Sequence, residues 1–217
     1  MRIVLMGPPG AGKGTQATRL AGGFNMAHLS SGDILRAERN SGSELGKQLK
    51  SYMDAGALVP DATVVEIMAK AVAGLPTEKG LLLDGFPRTV AQAEALDAQL
   101  KQLGVPLHAV LVIDVDDSLL VERITGRRSC PQCGRPYHVK HMAPKSGNRC
   151  DDCNVELTQR ADDTEAVVRE RLSNYRRQTE PVIEYYKKSG QRVVAVDGML
   201  PPDEVTARVG AALRSLQ

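Results

Sequence analysis

Gly7-Pro8-Pro9-Gly10-Ala11-Gly12-Lys13-Gly14-Thr15 decides the reading of this chain. In front of it stands Ile3-Val4-Leu5-Met6, a short apolar run that reads as a buried strand. Behind it, Gln16-Ala17-Thr18-Arg19-Leu20-Ala21 reads as a helix stopping at Gly22-Gly23. Strand, glycine-rich turn and helix form the setting in which such a loop binds phosphate. Glycines let successive N–H groups point inward as an anion nest, and the helix N-terminus adds free donors and the positive end of a dipole. Lys13 adds a mobile full charge. The general motif places Ser or Thr directly after the lysine. Here Gly14 stands there and the hydroxyl comes at Thr15, which weakens the case for a metal-ligating hydroxyl. The plain alternative is a tight glycine turn with no ligand.

Working outward, strands and helices alternate. His28 and Leu29 read as a brief strand running into a polar helix start, with Ser31 or Asp33 as its cap. Ser43 to Ala55 is helical up to Gly56. From Pro60-Asp61, a helix carries Val64, Ile67, Met68 and Ala71 on one face and ends at Gly74. Leu81-Leu82-Leu83 reads as a strand buried on both faces, running into Asp84. A helix follows from Thr89 to Gly104, and Thr89 and Gln92 have capping-box spacing. Ala109 to Ile113 is a strand and Ser118 to Arg128 a helix. Helix resumes at Thr164 and runs to about Thr179, with a break or restart at Pro181 and an end at Gly190. Arg192 to Val196 is the last strand, and Val205, Val209, Ala212 and Leu216 mark a final amphipathic helix. This order predicts an α/β fold with a parallel sheet covered on both faces and ligands at the carboxyl ends of its strands. Three such ends carry chemistry: Met6 into the glycine loop, Leu29 into Ser31, and Leu83 into Asp84.

Composition narrows the function classes. The 217 residues suit one domain with insertions, and the formal charge of +2 is small for a nucleic-acid or membrane-surface protein. Two Phe, five Tyr and no Trp leave the core to aliphatic residues and Met. The first strand is too short for a signal-peptide core and no stretch approaches a membrane span, so a reducing cytosol is expected.

Residues 129–159 lose helical periodicity and read as an insertion. Within them Cys130-Pro131-Gln132-Cys133 and Cys150-Asp151-Asp152-Cys153 form two CxxC knuckles sixteen residues apart, the spacing of a zinc site. Four thiolates close a tetrahedron and leave no open position, so the ion is expected to be structural, replacing a core that so short a segment lacks. Iron or cobalt would fit the same ligands. Two disulfides, a redox pair or a nucleic-acid knuckle are the alternatives. His138 and His141 read as surface residues. Six Lys and Arg against two Asp over 126–153, with the −2 of a tetrathiolate zinc, leave about +2, weak for a nucleic-acid grip.

Arg36, Arg88, Arg123, Arg127, Arg160 and Arg171 fall at loops or helix ends. A lone arginine there is usually a solvated charge. But Arg88 follows Asp-Gly-Phe-Pro directly beyond a buried strand, and Arg127 and Arg160 bracket the cysteine insertion. Guanidinium forks match phosphate oxygens and keep their charge.

Taken together, these stretches closely resemble the adenylate kinase family over essentially the whole chain. Residues 7–16 look like its phosphate loop, including the Gly between Lys and Thr, which resolves the departure noted above. Ser30-Ser31-Gly32-Asp33-Ile34-Leu35-Arg36 resembles the start of its AMP-binding insert, where the family often has Thr at the Ser31 position. Asp84-Gly85-Phe86-Pro87-Arg88 matches the family signature. Arg160-Ala161-Asp162-Asp163 with Arg171 is similar to the end of its mobile lid. The cysteine quartet resembles the zinc-containing lid of many bacterial members.

The resemblance implies a P-loop NTPase-type parallel sheet flanked by helices. The core would be 1–29, 60–125 and 164–217, with a helical AMP-binding insert at 30–59 and a zinc-braced lid at 126–163. It implies that Gly10, Ala11, Gly12, Lys13, Gly14 and Thr15 hold the ATP phosphates, and that Arg123 lies on the ATP base. Pro136, Tyr137 and Leu200 would also contact ATP. Ser31, Arg36, Ala57, Leu58, Val59, Gly85, Phe86, Pro87, Arg88 and Gln92 would form the AMP site. Arg160 and Arg171 would clamp the phosphates between the nucleotides, Arg127 would reach the transferring phosphoryl group, and Asp84 would hold magnesium through its water shell. Gln92 has two readings, half of a capping box or an amide that reads the adenine edge. The reaction implied is MgATP + AMP ⇌ 2 ADP, carried by Lys13, Arg88, Arg127, Arg160, Arg171 and Asp84 in a cytoplasmic monomer, with zinc at Cys130, Cys133, Cys150 and Cys153. The rivals are a kinase for UMP, CMP or GMP, and a nucleotide-switched binding module with a zinc-ribbon surface.

Overall fold

The computed structural model describes residues 1–76 and 78–215. Its elements run β1 (Arg2–Met6), α1 (Lys13–Gly23), β2 (Met26–Ser30), α2 (Ser31–Asn40), α3 (Glu44–Asp54), α4 (Asp61–Ala73), β3 (Gly80–Asp84) and α5 (Val90–Gln102). They continue as β4 (Ala109–Asp114), α6 (Asp117–Thr125), β5 (Arg127–Ser129), β6 (Pro136–His138), α7 (Glu165–Asn174), α8 (Glu180–Lys188), β7 (Val193–Asp197) and α9 (Pro202–Arg214).

Five strands form a parallel sheet in the order β2-β3-β1-β4-β7. Each central strand is apolar on both sides, and its period of two splits it between two cores. Val4, Met6, Leu81, Leu83, Val110 and Val112 face one core, shared with α2 to α5 and α8. Ile3, Leu5, Leu82, Ala109, Leu111 and Ile113 face the other, shared with α1, α6 and α9. Burying each large aliphatic side chain contributes roughly 1.5–3 kcal/mol. The α/β architecture therefore stands as expected. In-register pairing of Ser30 with Asp84, and of Leu5 with Asp84, brings the carboxyl ends of β2, β3 and β1 side by side.

Two local expectations are corrected and two are filled in. The cap of α2 is Ser30, whose side chain accepts from the Asp33 N–H at 3.2 Å, while Ser31 is turned elsewhere. The helix begun near Ser118 ends at Thr125, before Arg128. Gly126 lies against the His138 ring, where an added Cβ would stand 2.3 Å from Nε2, and Arg127–Ser129 pairs as a strand with Pro136–His138. Of the break or restart expected at Pro181, the structure has the restart: α8 begins at Glu180 with the proline in its first turn. Proline has no N–H to donate, and Tyr175–Thr179 forms a π turn in which the Glu180 N–H reaches the Tyr175 carbonyl, so α7 continues into α8. The cysteine insertion, read as lacking helical periodicity, opens with the β5–β6 hairpin. In α9, Val205 and Val209 are buried as expected, with Leu213 beside them. Leu216, the last position assigned to that face, lies outside the described residues.

Candidate active site

The loop after β1 is shaped by close approach. Gly7 has φ +143° and a Cβ there would stand 2.4 Å from the Ile113 carbonyl oxygen; Gly10 has φ +84° and sits against Ile124. No side chain caps α1 at Gly12, so its first N–H groups keep their donors for an anion. The Lys13 ammonium curls back and donates to the carbonyls of Gly7 at 2.8 Å and Pro8 at 3.0 Å. Burial lowers its pKa to about 8, against the pull of nearby Asp84.

Arg88 is held from three directions. Its Nε donates to the Gly85 carbonyl at 2.7 Å, its N–H to Gln92 Oε1 at 2.8 Å, and its carbonyl accepts from Thr179 Oγ1 at 2.9 Å. Ser31 Oγ donates to the same Gly85 carbonyl at 2.5 Å. Burial, with Arg171 and Arg36 nearby, pushes Arg88 down to about 10, so it stays charged at neutral pH. Arg160 is likewise pushed to about 10 by burial.

One cavity of about 260 Å³ gathers the glycine loop, Asp84 and most of the arginines singled out in the sequence. Gly10, Gly12, Lys13, Gly14 and Thr15 form one wall. Arg36, Arg88, Arg127, Arg160 and Arg171 converge from α2, the turn after β3, the lid hairpin, the lid's return and α7, with Asp84, Gly85, His28 and Pro136. A smaller cavity beside it is lined by Ser31, Ala57, Leu58, Val59 and Gln92, with apolar Leu35, Met53 and Val64. Arg36, Arg88 and Arg171 line both. Two compartments thus meet at a shared wall of guanidinium groups.

Other residues stand apart. Phe86 is buried in the core, and Pro87 lines a third small space that shares Lys13, Leu58, Arg88 and Arg171 with the two compartments. Ala11 is buried beneath the glycine turn. Arg123 lies outside the cationic cavity and donates to the Gly198 carbonyl at 3.0 Å, next to half-buried Leu200. Tyr137 faces the cysteines and lines neither compartment. Gln92 sits where both readings place it, at the start of α5 and on the wall of the smaller compartment. Its N–H is capped by Thr89 Oγ1, but its amide Nε2 donates to Asp61 Oδ1 at 2.7 Å and its edge lines the smaller compartment, so the box is not reciprocal.

Asp163 received no role from the sequence. It is fully buried and takes Arg127 as a fork, Nε to Oδ2 at 2.9 Å and Nη2 to Oδ1 at 2.5 Å, with Arg171 Nη1 at 3.3 Å. Asp162 also meets Arg171, at 3.0 Å. The signal was present. Two consecutive acids amid so many cations are a counter-charge, and they aim the arginines as well as neutralise them.

The four cysteine Sγ atoms lie within 4.8 Å of one another, and Cys133 and Cys150 are 3.7 Å apart. A tetrahedron with zinc–sulfur bonds of about 2.3 Å has edges of ~3.8 Å, so the residues fit such an ion. The thiols diverge in acidity. A hydrogen bond from Tyr137 leads in bringing Cys150 down to about 6, while hydrogen bonding to Cys133 leads in pushing Cys153 up to about 12. A cation among the four would relieve that crowding.

An adenylate kinase family model matches residues 5–191. The chain is 50% identical to an adenylate kinase of Symbiobacterium thermophilum over 99% of both chains. It is 49% identical to one of Methanocella arvoryzae over the whole of both, and 46% identical to one of Acetivibrio thermocellus, again over the whole of both. The chain belongs to the adenylate kinase family. Membership in the adenylate kinases decides between two classes left open by the sequence: the protein is a phosphotransferase acting as a nucleoside monophosphate kinase, not a nucleotide-switched binding module. No helix among the described residues is long and apolar enough to cross a membrane.

Proposed function

We propose that the two compartments seat ATP and AMP with their phosphates meeting at the arginine wall, and that the terminal phosphoryl group of MgATP passes directly to AMP. The observation that carries this reading is the sharing of Arg36, Arg88 and Arg171 by both cavities. Residues Gly10 to Thr15 and Lys13 hold the ATP phosphates on backbone donors and one ammonium. Arg123 and the backbone near Leu200 flank the ATP base, with Pro136 closing from the lid. The smaller compartment takes AMP. Its apolar residues cover the base, and Gln92 uses its remaining donor and acceptor capacity on the adenine edge.

Phosphoryl transfer needs in-line placement and charge stabilisation more than covalent chemistry. Lys13, Arg88, Arg127, Arg160 and Arg171 meet the charge on the moving phosphoryl group, and Asp163 keeps Arg127 and Arg171 aimed at it. Asp84 meets the water shell of the magnesium carried by ATP. No dedicated base is required, because the accepting phosphate is already an anion. Segments 30–59 and 126–163 close over the nucleotides, exclude water and prevent hydrolysis. The remainder of the chain is the core. Zinc, held by Cys130, Cys133, Cys150 and Cys153, makes 126–163 rigid, and free thiols of this kind suit a reducing cytosol.

A panel of AMP, UMP, CMP and GMP as acceptors with MgATP tests the reading. AMP is expected to be strongly preferred, with two ADP formed per turnover. Comparable rates with a pyrimidine or guanine acceptor would remove Gln92 from the specificity role. A bisubstrate mimic of two joined adenosines is expected to compete with both ATP and AMP; competition with only one would separate the compartments.

A further inference from the structure

The two knuckles are built alike. In each, the N–H four residues on closes onto the first cysteine's carbonyl, Gly134 onto Cys130 at 3.0 Å and Asn154 onto Cys150 at 2.9 Å. Both closing residues have positive φ, 74° and 53°. The first cysteine's own N–H reaches beyond the turn, to Arg135 or Val155. The sulfurs differ in one respect. Cys130 Sγ accepts from its own knuckle, the Cys133 N–H at 3.4 Å. Cys150 Sγ, besides the backbone donors of its own knuckle at Asp152 and Cys153, meets the Tyr137 hydroxyl at 3.4 Å.

The direction of that contact follows from the hydroxyl's other partner. The Asp151 N–H donates to the Tyr137 oxygen at 2.8 Å, so the phenolic hydrogen is left to point at the sulfur. The ring is 3% exposed, and Arg135 lies over its face at 5.4 Å while bonding Asp152 at 2.6 Å. Tyr137 stands in β6 between Pro136, which lines the cationic cavity, and His138, which packs on Gly126 where the lid begins.

We propose that Tyr137 is a positioning residue for the metal site: its hydroxyl donates to the Cys150 thiolate, and so joins the second knuckle to the strand that faces the nucleotide. This rests on the reading of the cysteines as a metal site. A ligand's hydrogen-bond partner typically supplies about 10–100-fold in metal affinity. The Tyr137 side chain thus serves the metal, and a contact of this residue with ATP would be left to its backbone, beside the place where β6 holds Pro136.

The test uses the full chain, with zinc affinity measured by competition against a chromophoric chelator and thiolate coordination followed in the cobalt(II)-loaded protein. Tyr137→Phe is expected to bind one zinc about 10–100-fold more weakly than the wild type. Its sulfur-to-cobalt charge-transfer band is expected to move to lower energy, because the sulfur lone pair loses a donor. Affinity within twofold of the wild type, with an unmoved band, would overturn the proposal; a merely structural ring would leave the band in place. If Tyr137→Phe does not fold, uniform 3-fluorotyrosine labelling keeps the shape and strengthens the donor. Tyr52, Tyr175, Tyr185 and Tyr186 lie outside the lid segment, so a shift to higher energy would report Tyr137, and none would overturn the proposal. A wild type that takes up no metal with a four-thiolate spectrum overturns the metal reading itself, and is told apart by arising before any variant is made.

Discussion

Residues 30–59 and 126–163 wall the same pair of cavities but are held together in opposite ways. The helical segment is an outgrowth of the main core. Its Leu35, Leu49 and Val59 are buried in the cluster that contains β1, β3 and β4. Its two helices are capped by Ser30 and Ser43 and tied together by Arg39 of α2 on Asp54 of α3 at 3.0 Å. The segment 126–163 has a separate small cluster of buried Cys130, Tyr137, Cys150 and Leu157, with Cys153 and Val155 packed against it. So small a cluster cannot offset the cost of ordering so long a segment. One segment therefore borrows stability from its neighbours, whereas the other has little core of its own to draw on, which is where the proposed zinc would act.

The largest test of this contrast is removal of the metal. Structural zinc supplies ~10–16 kcal/mol of apparent folding energy in small domains. Chelation, or Cys130→Ser with Cys133→Ser, is expected to abolish hydrogen-exchange protection over 127–158 while leaving 31–54 protected. Equal loss in both segments would break the comparison.

Arginines from the two flaps come next. Arg160→Lys keeps charge but loses the fork, and is expected to lower kcat by about 10²–10³-fold. Arg36→Lys is expected to raise the KM for AMP by roughly tenfold, ~1.4 kcal/mol, with a smaller change in kcat. Steady-state kinetics with AMP varied would show it, and the reverse pattern would contradict the assignment of the flaps.

Core deletions separate the two kinds of stability. Leu49→Ala is expected to lower global stability by about 2–5 kcal/mol in denaturant melts. Leu157→Ala is expected to leave the global midpoint nearly unchanged and loosen only the lid, as seen by hydrogen exchange. A shared shift in midpoint would mean the lid cluster is continuous with the core.

The smallest effect is a pH dependence. Lys13 in the nucleotide-free cleft has a pKa near 8, and polyphosphate favours its charged form. Nucleotide binding is therefore expected to take up a proton as pH rises above 8, with affinity falling about tenfold by pH 9. Arg88 and Arg160, near 10, keep their charge across that window. Calorimetry in buffers of different ionisation enthalpy measures the uptake; none at pH 9 would remove Lys13 from the phosphate site.

Much of the site was legible because its chemistry is local. The glycine loop needs consecutive backbone donors, and each CxxC knuckle needs only its own turn, so both are written in contiguous residues. The rest depended on partners far along the chain. Ser31 looked like a helix cap until Gly85 accepted its hydroxyl. Arg127 looked helical until Gly126 met His138 and the hairpin formed. Asp163 lies 36 residues from Arg127, and no local pattern pairs them.

Sequence alone determined the alternation of buried strands and helices, the glycine-rich turn and the pairing of four cysteines into two knuckles, because hydrophobic period, glycine geometry and short CxxC spacing act over a few residues. Tertiary structure alone decided which guanidinium groups share a wall between two compartments, which acids aim them, and that the Tyr137 hydroxyl turns toward sulfur. Those choices depend on side chains meeting across the fold, where burial and unmet hydrogen bonds select the partner.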